Sequence, residues 1–92
     1  MPKVVITAEV EDTAKWEQGF RSHGDLFRSQ TITTPISMAI REGNEVAICA
    51  EPADLGTFME MLESPVTAEA MGHDGVRRDT VKVYVMDREF QP

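Results

Sequence analysis

This sequence predicts an α+β fold, with helices covering one face of a four-stranded antiparallel sheet, and three observations predict it. Lys3 to Val10 alternates, placing Val4, Ile6, Ala8 and Val10 on one side and Val5, Thr7 and Glu9 on the other. Two amphipathic helical stretches each follow a strand and each open on an Asp able to cap free amides, Asp12 and Asp54. The remaining apolar runs, rich in Val, Ile and Thr and bounded by turn residues, read as further strands.

Taken in order, the first strand runs into a helix over residues 12–27. Trp16, Phe20, His23 and Phe27 fall four, three and four residues apart, on one face of that helix. The only Trp, two of the four Phe and one of the two His therefore share a stripe that must be buried. Gly19 and Gly24 each weaken a helix by about 1 kcal/mol. Close approach to the sheet accounts for both, or Gly24 ends the regular helix. Residues 31–41 favour a strand, but Pro35 cannot donate to a ladder, so the strand is an edge, is bulged, or starts after it. Glu42-Gly43-Asn44-Glu45 is a turn, and Val46 to Glu51 completes a hairpin. In the second helix Leu55, Phe58, Met59 and Leu62 form the apolar stripe. Ser64-Pro65 restarts the helix, as a cap followed by the residue favoured at the first helical position, and it ends at Gly72. Thr80 to Met86 is the last strand, with Val81, Val83 and Val85 on one face.

The order βαββαβ, in one domain over residues 1–92, is satisfied by the ferredoxin-like arrangement with right-handed crossovers. The helices take the more apolar sheet face. The opposite face collects Val5, Thr7, Ser37, Ala39, Ala47, Cys49, Lys82, Tyr84 and Met86, which is too apolar for a comfortable solvent surface. A homodimer with the two sheets packed face to face would bury it.

Composition narrows the function. Sixteen acidic against nine basic residues give a formal charge of -7, which repels phosphate backbones and anionic lipid, so neither nucleic acid nor membrane is an expected partner. The single Cys49 excludes an intramolecular disulfide or a cysteine-rich zinc site, and its apolar setting suggests a buried, inert thiol. No apolar run approaches the roughly 20 residues needed to span a bilayer, and Met-Pro-Lys leads into a strand without a signal pattern, so a cytoplasmic protein is expected.

Among these residues, Val10-Glu11-Asp12, then Trp16, Phe20 and His23, then Asp54-Leu55, Ser64-Pro65, Ala70-Met71 and Gly75-Val76 resemble the dimeric α/β-barrel superfamily. Its members include antibiotic-biosynthesis monooxygenase-like proteins, stress-responsive A/B-barrel proteins and many small uncharacterised bacterial proteins, and the sequence looks most like the last group. The resemblance covers nearly the whole chain. It implies a sheet-to-sheet dimer and a pocket in each subunit between sheet and helices. In the polyketide-cyclase branch a histidine and a tyrosine do the acid–base work, but their places read Thr67 and Met61 here, so that mechanism does not carry over. The monooxygenase branch works without metal or flavin, the substrate supplying the electrons, so no cofactor is expected.

His23 is the candidate catalytic residue, since an imidazole beside Trp16 and Phe20 can take a proton from a phenol or an acidic carbon. Its alternative is a structural histidine at a helix edge. Trp16, Phe20, Phe27, Phe58 and Met71 are candidates for the wall of a pocket for a small hydrophobic or aromatic ligand; Met61 and His73 join them as pocket residues. Arg77-Arg78 either holds a carboxylate at the pocket mouth or is solvated. No metal site is expected, because His23 and His73 lack ligand-motif spacing. Three functions fit: a cofactor-independent monooxygenase, isomerase or cyclase; a non-catalytic small-molecule binder; or a structural homodimer. A cavity of about 300 Å³ or more beside Trp16 and His23 favours the first two, and a filled core favours the third.

Overall fold

The computed structural model describes residues 2–92. Its elements are β1 (Lys3–Val10), α1 (Thr13–Arg21), α2 (Gly24–Ser29), β2 (Ser37–Arg41), β3 (Glu45–Ala50), α3 (Leu55–Leu62), α4 (Pro65–His73) and β4 (Val76–Met86). The four strands form one antiparallel sheet in the order β2-β3-β1-β4. This is the expected α+β, ferredoxin-like arrangement with each crossover a broken pair of helices, giving βααββααβ; the break at Ser64-Pro65 is the expected one and that at Ser22-His23 is not. Among the described residues, no helix is long and apolar enough to cross a membrane.

Local chemistry sets most boundaries. The Asp12 carboxylate accepts from the amides of Ala14 and Lys15 at 2.9 and 3.1 Å, and Asp54 accepts from Thr57 at 3.0 Å. Ser64 caps α4 with Pro65 as its first residue. One expectation needs correction, and one of the alternatives left open for the next strand is selected. The helix over 12–27 breaks at Ser22-His23, because both the amide and the hydroxyl of Ser22 donate to the Gly19 carbonyl and close the helix early. Gly24 therefore begins α2 and does not end α1. No strand starts at Thr31. That residue sits at φ 66° and closes α2 in a Schellman arrangement, with Ile32 N–H bonded to Phe27 O and Thr31 N–H to Arg28 O. β2 starts only after Pro35.

The apolar face of the sheet packs on the helices as two adjoining clusters. One contains Val4, Ile32, Ala50 and Phe58; the other contains Val10, Trp16 and Val46. The outer face reads across the strands as Ser37–Cys49–Val5–Tyr84 and Ala39–Ala47–Thr7–Lys82. Cys49 is only half-buried, against the expectation of a buried thiol. Toward its start β4 loses register with β1. Lys82 lies opposite Thr7 and Arg77 opposite Glu9, so residues 78–81 face the single Ala8. The Thr80 hydroxyl accepts from Glu9 N–H at 2.9 Å there, standing in for a ladder carbonyl.

Phe58 is 2% exposed and anchors α3 on the sheet. Phe58→Ala should lower unfolding free energy by about 3–5 kcal/mol, read from urea denaturation. A loss below about 1 kcal/mol would show that the core closes without it.

Candidate functional site

The meeting of the two core clusters leaves an apolar cavity of about 90 Å³ between sheet and helices. Sheet residues such as Ile6, Ala8 and Ile48 form its floor, and Trp16, Phe20, Phe27, Phe58 and Met71 form much of its wall. The aromatic rings are in contact, with centroids 5.3 Å apart for Trp16–Phe20 and 4.7 Å for Phe20–Phe27. The four polar residues on its lining are His23, Gln30, Thr67 and Asp74.

His23 is the second of the two residues between α1 and α2. It stands at the N-cap position of α2 but makes no side-chain cap bond, so its imidazole is directed elsewhere. It reaches the end of α4, where Nε2 lies 3.0 Å from Oδ2 and 3.3 Å from Oδ1 of Asp74. Asp74 is itself only 4% exposed and also takes a hydrogen bond from His73 Nδ1 at 2.9 Å. A carboxylate only accepts, so both imidazoles donate to it. In neutral His23 the ring proton is thereby held on Nε2, and the Nδ1 lone pair remains as the proton acceptor.

Gly19 makes room for this carboxylate. A Cβ at position 19 would lie 2.0 Å from Asp74 Oδ1 and 2.6 Å from its Cγ. The glycine thus answers a close approach to the end of α4, where the sequence had suggested the sheet. Position 74 is electrostatically unfavourable for an acid, because it ends a helix whose C-terminus carries partial negative charge. A buried acid kept in such a place, against local preference, makes Asp74 a candidate site residue. Nothing in the sequence marks Asp74 as a site residue. It reads as an ordinary turn residue after a helix, and its bond to His23 spans 51 positions.

Gln30 and Thr67 were missed as well. They form a buried pair in which Gln30 Nε2 donates to Thr67 Oγ1 at 3.2 Å, and Thr67 donates onward to Met61 O at 2.6 Å. Of the expected pocket residues, Trp16, Phe20, His23, Phe27, Phe58 and Met71 do line the cavity. Met61 does not: it meets the site only through its backbone carbonyl, which caps the α3–α4 corner. His73 does not line it either; its side chain is 71% exposed and touches Asp74 from outside. Arg77 and Arg78 are exposed strand residues away from the cavity.

No protein-family model matches the sequence, and no curated protein does. Solved structures do match. SnoaB, a cofactor-independent oxygenase from Streptomyces nogalater, superposes with a TM-score of 0.70 at 16% identity, covering 98% of this chain and 94% of that one. The chain has the fold of the antibiotic biosynthesis monooxygenases. One structure described by that name gives 0.66 at 14% identity over 97% of this chain and 99% of that one. A protein from Arabidopsis thaliana gives 0.68 at 13% identity over 100% and 99%. At these identities the likeness to the monooxygenases is one of fold.

Gly19→Ala tests the tight fit to Asp74. In an ordinary helix this change gains up to about 1 kcal/mol, but here it should cost about 1–3 kcal/mol through overpacking. Gly72→Ala is the control, since a Cβ there meets nothing within 4 Å. Thermal melts should show opposite signs for the two variants, and equal behaviour would remove the steric argument.

Proposed function

We propose that this protein binds a small aromatic or carbonyl compound in the helix–sheet cavity and draws a proton from it with His23. The reading is carried by one observation: an imidazole fixed on a buried carboxylate, in the wall of a largely apolar cavity. Asp74 acts as a positioning residue that selects the His23 tautomer, and His73 supports Asp74 from the solvent side. The proton moves to Nδ1 of His23 and leaves its electron pair on the substrate. Dioxygen, as the oxidant, would then take electrons from that anion and bond to its carbon as a peroxide; SnoaB, of the same fold, is described as a cofactor-independent oxygenase. The cavity of about 90 Å³ is well below the ~300 Å³ of a pocket for drug-sized ligands. Its occupant is therefore a small ring, or one that moves Phe20 and Phe27 as it enters. The same small volume favours the second reading, a homodimeric scaffold without a ligand.

His23→Gln separates the two. It should leave folding and ligand-dependent Trp16 fluorescence in place while reducing turnover of phenolic or 1,3-dicarbonyl compounds by about 10²-fold or more. Trp16 fluorescence indifferent to a broad panel of such compounds would favour the scaffold.

The second part of the reading is a homodimer through the outer sheet face. Its support is the half-buried to exposed row of Val5, Ala47, Cys49 and Tyr84, together with Met86, which is 53% exposed. Sedimentation should give about twice the 10.3 kDa chain mass. Ala47→Arg, which puts a charge in the centre of that face, should give monomer or aggregate. A native-sized dimer from that variant would place the interface elsewhere.

A further inference from the structure

We propose that His23, His73 and Asp74 bind a single divalent transition-metal ion of the zinc type. Each offers one donor atom, and the three atoms lie within 4.8 Å of one another. Two of their separations, 3.3 Å for His23 Nε2 to Asp74 Oδ1 and 2.9 Å for His73 Nδ1 to the same oxygen, already suit neighbouring ligands on a metal with bonds of about 2.0–2.2 Å. The imidazole nitrogens need only close around the carboxylate. His73 is free to do so, because its side chain is 71% exposed.

The donor set chooses the ion. Two imidazoles and one carboxylate suit zinc, cobalt, nickel or copper and disfavour magnesium and calcium, which prefer oxygen. Electrostatics point the same way, since the carboxylate sits at the negative end of α4 in a chain of formal charge -7. Three protein ligands leave coordination positions open, as in catalytic zinc sites and not in closed structural ones. Sequence spacing hides the site because His23 and His73 lie on different crossovers, α1–α2 and α4, and meet only through the tertiary fold.

A consequence follows that does rest on the proton-acceptor reading of His23. A metal ion needs the Nε2 lone pair, so the ring proton must move to Nδ1. The ring then donates a hydrogen bond on the side where it had accepted a proton. Filling the site would therefore silence His23 as a base, and the ion would act as an inhibitor.

The site itself is tested by binding, independently of any turnover. Tag-free protein is titrated with Co²⁺ and Zn²⁺ by calorimetry and by the visible absorption of bound Co²⁺, with Mg²⁺ as comparison. One Co²⁺ or Zn²⁺ per chain and no Mg²⁺ heat are expected. His73→Ala removes an exposed ligand without touching the core and should weaken binding by about tenfold or more. Asp74→Asn should weaken it further; if that variant does not fold, His73→Ala alone decides. No Co²⁺ uptake by the wild type would overturn the site, as would unchanged affinity in His73→Ala.

Discussion

A carboxylate withdrawn from water at the negative end of a helix faces two unfavourable effects, desolvation and the helix dipole, and it persists only if its surroundings supply hydrogen. Asp74 is such a group. Its surroundings supply two imidazole donors, one from the α1–α2 break and one from the preceding residue. To receive it, α1 must present a residue without a side chain, which is Gly19. The arrangement therefore links two stretches of chain, residues 19–23 and 73–74, that share no sequence neighbourhood. The break at Ser22 lets His23 leave the helix surface, the end of α4 brings the acid, and the glycine lets the two helices approach.

This constraint also gives the cavity its character. An apolar space closed by Trp16, Phe20 and Phe27 would read as incomplete packing if its border were wholly hydrocarbon. With His23, Asp74 and the Gln30–Thr67 pair on that border, the polar groups are gathered at the helices while the sheet contributes an apolar floor. Small-molecule sites are built in this way, with apolar bulk for affinity and a few fixed polar atoms for orientation. The monooxygenase fold provides the frame, and the residues placed on it are this chain's own.

Features governed by adjacent residues could be read from the sequence. Asp12, Asp54 and Ser64-Pro65 mark helix starts because capping is a contact over two or three positions. The alternation of Val4, Ile6, Ala8 and Val10 names the buried sheet face because the pleat has a period of two. The stripe of Trp16, Phe20 and Phe27 pointed to the cavity wall even though one helix became two. The missed features had other causes. Thr31 ends a helix in a conformation usually given to glycine, so its β-branched side chain suggested a strand. Asp74 carried little local signal, because only His73 is its neighbour, while Gly19 and His23 come from the other crossover.

The lost register on β4 has an effect on how copies of this chain can meet. β4 is an edge strand, and a regular edge offers unpaired amides and carbonyls to any other strand. Residues 78–81 interrupt that row, and the opposite edge, β2, is a five-residue strand entered after Pro35. Neither margin offers a long, even template for a foreign strand. Fibrillar growth by edge addition is therefore disfavoured at both sides.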